Sequence, residues 1–337
     1  MSRNLSYLWS LLPGLITIGG NLAGGPWAFS NVIFVLGFLC ILEWFVPENT
    51  SNAHSENSTI PNLILYAHVL LQILCLSSLI YSIQMGRVNG VQIVGAALST
   101  GFHSGTSAIV VSHELIHRKN AVLRFFGKLL LFSAGNIYFY IEHLRVHHKW
   151  VGTDKDPATA KRNESIYRFF IRSMFGQINS AFQLESKRLG SSSITKFFKN
   201  EILQNGLLQI LFLGSIYYFF GLMMLMVFAL QILMANFLLE YTNYIEHYGL
   251  SRKENERVKE DLSWQTDKVI SRFLLIDLSR HSDHHYYASK PYHTLKSYSG
   301  SPVLPGGYAS SIYLALVPAL WFKVVNTALD NFHAKNK

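Results

Sequence analysis

The sequence predicts an all-α integral membrane protein with six transmembrane helices and a histidine-rich cap on one side of the membrane. Three observations favour this fold. Half of the 337 residues are hydrophobic and only 15% are charged, which leaves too few charges to cover a soluble globule of this size. Apolar stretches close to the roughly 20 residues that cross a hydrocarbon core recur along the chain. Most of the 14 histidines occur in clusters outside these stretches.

Each predicted span is an apolar stretch bounded by polar or glycine-containing turns. The first is the weakest, because it contains Pro13 and Gly14. It lacks a basic cluster at its start and a small-residue cleavage site, so we expect an uncleaved hairpin with the second span, and a mature chain that begins at or near Met1. The six predicted spans are 8–23, 27–46, 63–85, 91–112, 203–221 and 222–241.

Lysine and arginine fall almost entirely on one side of this topology. Of the 29, 15 lie within 113–199 and 12 within 252–337. Arg3 falls on the same side of the predicted topology as these 27, and only Arg87 falls on the opposite side. Because basic residues accumulate in cytoplasmic loops, we expect both termini and the cap to be cytoplasmic. The prediction is one membrane-embedded domain, 1–337, with a cap formed by 113–200 and 243–337. Its charge of +9 favours anionic lipid or an acidic protein partner, and no motif indicates nucleic-acid binding.

Eight histidines occur in three clusters with spacings of about one helical turn. Such spacings place imidazoles on one helical face. On an α-helix His143 and His147 share a face, whereas His148 is rotated by about 100° and can face a second ion. Eight imidazoles exceed the roughly four to six positions of one ion, so the pattern predicts two metals. The clusters are His113-Glu-Leu-Ile-His117, His143-Leu-Arg-Val-His147-His148 and His281-Ser-Asp-His284-His285.

His247 is a ninth candidate ligand, because it follows the sixth span directly and should lie at the same depth as His113. Nine neutral ligands leave the metal charge uncompensated, so we expect carboxylates next to the ligands to hold the imidazole N–H groups. The candidates for this supporting role are Glu114, Glu142, Asp156, Glu246 and Asp283.

Two other interpretations of the histidines remain open. The first cluster alone has the HExxH pattern of a zinc hydrolase with Glu114 as general base, although this leaves the other clusters without a purpose. A histidine-rich protein that binds or transports metal is the non-enzymatic alternative, and it would distribute ligands through the spans.

Cys40 and Cys75 both lie in apolar spans and form no CxxC motif, so electrons for redox chemistry must come from another protein.

The clusters with their flanking residues closely resemble the bacterial alkane 1-monooxygenases, within the membrane fatty-acid desaturase and hydroxylase superfamily. The resemblance runs from about Tyr7 to Trp321. The strings that carry it are His113-Glu-Leu-Ile-His-Arg-Lys, Glu142-His-Leu-Arg-Val-His-His, Asp156-Pro-Ala-Thr, Asn243-Tyr-Ile-Glu-His-Tyr-Gly-Leu, Leu278-Ser-Arg-His-Ser-Asp-His-His and Leu304-Pro-Gly-Gly-Tyr.

This resemblance implies a six-helix bundle in the bacterial inner membrane with a di-iron site at its cytoplasmic end. It implies O2 as oxidant, electrons from rubredoxin and a rubredoxin reductase, and hydroxylation of the terminal methyl of a medium- or long-chain alkane taken from the bilayer. The matching ligands to the two iron ions are His113, His117, His143, His147, His148, His247, His281, His284 and His285.

The chain departs from the family's pattern near the last cluster. Asp277 and the pair Asp267-Lys268 stand where members often carry histidine. The departures remove no proposed ligand, and they leave a xylene-type methyl hydroxylase or a fatty-acyl desaturase as alternatives. Bulky residues of the first hairpin, namely Trp27, Phe29 and Trp44, are hypothesised to limit substrate length.

Overall fold

The computed structural model describes residues 3–52, 57–190 and 197–335, and in these ranges the protein is helical, with β-structure limited to two isolated bridges. This confirms the predicted all-α class. We number the principal helices in chain order. They are α1 (Leu12–Ala23), α2 (Gly25–Phe45), α3 (Thr59–Gln84), α4 (Val91–His103, continued by Ser104–Ile109 and Val110–Ile116), α5 (Ala121–Ser133), α6 (Phe139–Glu142, continued by His143–His147 and His148–Trp150), α7 (Ile166–Leu189), α8 (Glu201–His247), α9 (Val269–Leu274), α10 (His281–Tyr286), α11 (Ser311–Leu316) and α12 (Pro318–Lys335).

Three of these helices are long and apolar enough to cross a membrane, namely α2, α3 and α8. Helix α1 has 12 residues, about 18 Å of rise, and the segment Tyr7–Leu11 before it forms a tighter 3-10 turn. Helix α4 is long but carries many buried polar side chains, Ser99, Thr100 and His103 among them. By length and composition, the described residues therefore contain three helices that could cross a membrane, and these overlap the predicted spans 27–46, 63–85, 203–221 and 222–241.

Helix α8 contains a chain reversal at Gly221. Its φ of 82° and ψ of 178° are accessible essentially to glycine alone. The rings of Phe212 and Phe228 lie 5.8 Å apart, whereas 16 residues of straight helix would separate them by about 24 Å. The fifth and sixth predicted spans thus correspond to two antiparallel arms, 201–220 and 222–247.

Hydrogen bonds between side chains connect the bundle helices inside their apolar surroundings. The His68 ring in α3 lies 2.8 Å from Ser10 Oγ and 2.6 Å from Ser107 Oγ in α4. Gln231 in the second arm of α8 donates to Ser104 Oγ at 2.7 Å. Such bonds hold helices together where packing in lipid supplies little hydrophobic driving force.

Arg3, near the start of the chain, and Asn49, shortly after α2, both contact residues of the cap. Arg3 Nη2 is 2.6 Å from Asp277 Oδ2, and the Asn49 amide donates to the Asp267 carbonyl at 2.8 Å. Asp277 therefore takes part in ion pairs, and Asp267 takes part in an ion pair and a backbone contact. The contacts put both segments on the same side of the bundle as the third histidine cluster.

Candidate metal centre

All nine candidate histidines converge at one end of the bundle, in two groups. Within each group the nitrogens all lie within 4.8 Å of one another, a spacing that can hold a metal ion. His68 and His103 lie deeper in the bundle and belong to neither group. The larger group contains His113, His117, His143, His148 and His284, and the smaller contains His147, His247, His281 and His285.

Helix α6 divides the histidines of the second cluster between the two groups, but not in the way that an α-helix would. The segment His143–His147 is a π-helix, in which the His148 amide donates to the His143 carbonyl five residues back. The wider turn brings His143 and His148 together, with 3.0 Å between their Nε2 atoms, and sends His147 to the other group. The expectation that His143 and His147 share a face was wrong, because it assumed 3.6 residues per turn.

Helix α10 divides the third cluster as an α-helix should. His281 and His285, four residues apart, face the smaller group with 2.9 Å between their Nε2 atoms, whereas His284 faces the larger one. His247 ends the second arm of α8, and its Nδ1 donates to the Leu262 carbonyl at 3.0 Å. That bond leaves Nε2 of His247 free to face the smaller group.

The spacing of the histidine nitrogens suits metal coordination better than it suits hydrogen bonds between the imidazole rings. The Nε2 atoms of His117, His143 and His148 are mutually 3.0–3.2 Å apart, yet an imidazole N–H donates to one acceptor only. Two ligands at about 2.1 Å from one ion lie about 3.0 Å apart at an angle of 90° and about 3.4 Å apart at the tetrahedral angle. Nε2 of His113, His147 and His247 are buried without hydrogen-bond partners. Unpaired buried nitrogens are costly, and bound cations would satisfy them.

The surroundings of His143, His148, His284 and His285 keep these four imidazoles neutral. Burial lowers the pKa of His143 and His148 well below its usual value, and neighbouring imidazoles lower it further. The same two causes lower the pKa of His284 and His285. Since only the neutral ring has a lone pair to offer, these side chains are ready to ligate at neutral pH.

Comparison with known proteins decides the family. The sequence matches the fatty acid desaturase family over residues 90–312. It is 34% identical to alkane 1-monooxygenase 1 of Pseudomonas aeruginosa, over 91% of this chain and 84% of that protein. It is 32% identical to the alkane 1-monooxygenase of Acinetobacter baylyi, over 95% of this chain and 84% of that protein. The chain belongs to the alkane 1-monooxygenase family. A more distant relative is the xylene/toluene monooxygenase hydroxylase component of Pseudomonas putida, 26% identical over 94% of this chain and 86% of that protein.

In this member of the alkane 1-monooxygenase family, Asp156 has the contact expected of a supporting carboxylate. Its Oδ2 lies 2.9 Å from His147 Nδ1 and accepts from Thr159 Oγ1 at 2.6 Å. Burial would raise the pKa of Asp156, but the contact with His147 and the bond from Thr159 lower it overall. The ionised carboxylate thus holds the Nδ1 proton and directs Nε2 of His147 into the smaller group.

Glu246 approaches the smaller group from another direction. Its Oε2 lies 3.2 Å from His281 Nε2, the nitrogen that faces the other ligands, and its Oε1 accepts from Tyr308 Oη at 2.8 Å. Sequence reasoning missed Tyr308. Its signal was Leu304-Pro-Gly-Gly-Tyr, which carried the family resemblance without indicating a role.

The other three carboxylates contact no histidine through a hydrogen bond in the described structure. Glu114 pairs with Arg118 at 2.5 Å, and Asp283 bonds Lys290 and Tyr298. Glu142 is buried, and neither of its carboxylate oxygens has a hydrogen-bond partner. A supporting role for these three stays a prediction.

An apolar cavity lies beside the metal centre, between α2, α4, α9 and the second arm of α8. Its walls include Val35, Thr106, Leu238, Leu274 and Tyr308, and no histidine is among the described residues that line it. The lining also lacks Trp27, Phe29 and Trp44, and Trp27 and Trp44 are 64% and 45% exposed at the outer surface. The hypothesis that these three residues limit substrate length therefore finds no support in the cavity.

Proposed function

We propose that this chain is a membrane di-iron monooxygenase that hydroxylates the terminal methyl of medium- or long-chain alkanes. The observation that carries the proposal is the pair of buried or partly buried histidine groups beside a cavity with mostly apolar walls. A zinc hydrolase of the HExxH type would use one metal and a bound water, and it would leave the other histidine group without a purpose. The family relationship to alkane 1-monooxygenases supports the same conclusion.

The nine histidines are the proposed ligands of two iron ions, five on one and four on the other. An ion with four histidine ligands would retain more open positions, and Glu246 lies next to one of these histidines, His281. Asp156 and the Leu262 carbonyl fix the orientation of two of its imidazoles. Imidazole ligands suit iron, although they also suit zinc and copper, so metal identity rests on the family.

The proposed reaction consumes RH, O2, two electrons and two protons and yields ROH and water. An alkane methyl offers no acid, base or leaving group, and bound iron would supply the oxidising chemistry. The role of the protein is to position the substrate. An apolar cavity admits the alkane, excludes water and directs the end of the alkane towards the histidines. An alkane dissolved in the bilayer can enter such a cavity between the helices.

The proposed topology has six membrane crossings, with the termini and the metal centre on the cytoplasmic side of a bacterial inner membrane. The one-sided distribution of lysine and arginine supports it. Exposed aromatic residues at the Gly221 turn, Tyr217, Tyr218 and Phe219, suit the opposite membrane interface. A cytoplasmic centre would be within reach of rubredoxin, the proposed electron donor, and its reductase.

The proposal is tested by product analysis under 18O2. Purified protein receives octane or hexadecane with rubredoxin, rubredoxin reductase and NADH. We expect a primary alcohol that carries one 18O atom. An alkene product would assign the chain to desaturation instead, and hydrolysis without O2 consumption would overturn the proposal.

A xylene-type methyl hydroxylase is the second candidate, favoured by the 26% identity to the xylene/toluene hydroxylase component. Competition between p-xylene and octane in one reaction separates the two. Preferential formation of methylbenzyl alcohol would favour the second candidate, and 1-octanol the first.

A further inference from the structure

Two cavities meet at one side chain of α4. The larger is the apolar cavity described above. The smaller lies at the metal centre, where His113 and His284 of the five-histidine group form part of its wall, together with Ile276 and Leu278. Among the residues described as lining these two cavities, Val110 is the one they share.

The position of Val110 makes it a partition between the cavities. It lies three residues before His113, so both side chains project from the same side of α4. It is 7% exposed and packed in a core that includes Ile276 and Leu278. A helical valine has one strongly preferred rotamer, so its two methyl groups form a fixed wall.

We infer that Val110 is a specificity-determining residue that sets how far an alkyl chain reaches towards the metals, and hence which carbon is oxidised. The inference rests on the proposed function, because it treats the larger cavity as the site of the alkyl chain. A chain that follows this cavity meets Val110 before it meets His113 or His284. With valine in place, only the terminal methyl reaches past the partition.

Removing the partition should let the chain advance. Val110→Ala joins the two cavities, so the second carbon reaches the position that the first occupies in the wild type. We expect the ratio of 2-alkanol to 1-alkanol to rise by about tenfold or more, the discrimination that one methylene in an apolar pocket provides. Val110→Ile adds a methyl group and should lower turnover of octane without producing 2-octanol.

Val111→Ala is the matched control. Val111 follows Val110 directly, is 1% exposed and loses the same side-chain volume when replaced by alanine. It lines neither cavity. Its product ratio should equal that of the wild type. Equal ratios in Val110→Ala and Val111→Ala would overturn the inference, whereas failure of the wild type to form any primary alcohol would overturn the proposed function instead.

A binding measurement, without catalytic turnover, also tests whether Val110 limits how far the alkyl chain reaches. A 1-bromoalkane bound to crystals of the metal-loaded protein, without an electron donor, is located by anomalous scattering from bromine. In the wild type we expect bromine, in the place of the terminal methyl, just past Val110, and in Val110→Ala we expect it displaced further towards His113 and His284. Bromine in the same place in both proteins, or short of Val110 in the wild type, would refute the partition.

Discussion

Tyr308 connects the wall of the apolar cavity to the carboxylate beside His281. Its hydroxyl donates to Glu246, its amide donates to Ser271 Oγ at 2.7 Å and its carbonyl accepts from Tyr241 Oη at 2.6 Å. Tyr308→Phe should leave one oxygen of Glu246 unpaired in a buried site, at a cost of about 1–3 kcal/mol. We expect the Mössbauer signal of the four-histidine iron to shift, with little change in the other.

Tyr244→Phe is the control for that variant. Tyr244 is fully buried and loses a hydrogen bond of the same kind, since its hydroxyl donates to the Glu164 carbonyl at 2.8 Å. It should leave both iron signals unchanged. An unaltered spectrum in Tyr308→Phe would show that Tyr308 does not position Glu246.

Asp277 neutralises buried arginines that fasten the N-terminus to the cap. Its carboxylate lies 2.7 Å from Arg272 Nε and 2.6 Å from Arg3 Nη2, and it accepts from Tyr7 Oη. Asp277→Asn should destabilise the protein by about 3–5 kcal/mol, because Arg272 remains buried without its counter-charge. Thermal unfolding in detergent measures the loss. Asp330→Asn, which removes the exposed partner of Arg162, should have little effect on the same transition.

At the residue scale, the sequence predicted which histidines converge, because spacing and neighbouring spans place them at one depth. It did not predict the partner of each carboxylate. Asp283 adjoins His284 in sequence, yet its side chain bonds Lys290 and Tyr298. Sequence adjacency fixes where a backbone lies, whereas the direction of a side chain depends on segments that are distant in the chain.

Among the helices, the helix type decides which histidines belong to the same group. The clusters of α4 and α10 obey α-helical spacing, but α6 is a π-helix across His143–His147. Nothing in the spacing of that cluster distinguishes the two helix types. The sequence therefore predicted that the histidines serve two sites, and the structure has two histidine groups, but the assignment of His147 and His148 to these groups needed the three-dimensional structure.

The reversal at Gly221 yields a prediction for α8. Gly221→Ala should cost about 1–3 kcal/mol, because alanine is strained at this φ and ψ although no atom obstructs its Cβ. Gly214→Ala is the control, since Gly214 is helical and also has open space around its Cβ, so alanine should be neutral or slightly stabilising there. Equal melting temperatures for the two variants would contradict the strained reversal.

At the scale of the whole molecule, contacts between distant segments assemble one end of the bundle. Glu43 near the end of α2 accepts from the amides of Ser271 and Ser310 at 2.9 and 2.7 Å. Gly307 permits this approach, because a Cβ there would lie 2.0 Å from the Glu43 carboxyl carbon. A glutamate in an apolar stretch was the available signal for such a contact, but its partners 228 and 267 residues away were not predictable from spacing.

The proposed topology predicts which surfaces are accessible from each side of the membrane. Arg87 and Lys335 are both exposed, and the native cysteines Cys40 and Cys75 are buried. A membrane-impermeant maleimide added to intact cells should label Arg87→Cys but not Lys335→Cys. After lysis it should label both. Labelling of Lys335→Cys in intact cells would invert the orientation.

We propose that nine histidines hold two iron ions in unequal environments. Mössbauer spectroscopy of the 57Fe-loaded, reduced protein, together with its iron content, tests this most directly. We expect two irons per chain and two signals of equal area, one from the five-histidine site and one from the four-histidine site. One iron per chain, or zinc in place of iron in active protein, would contradict it.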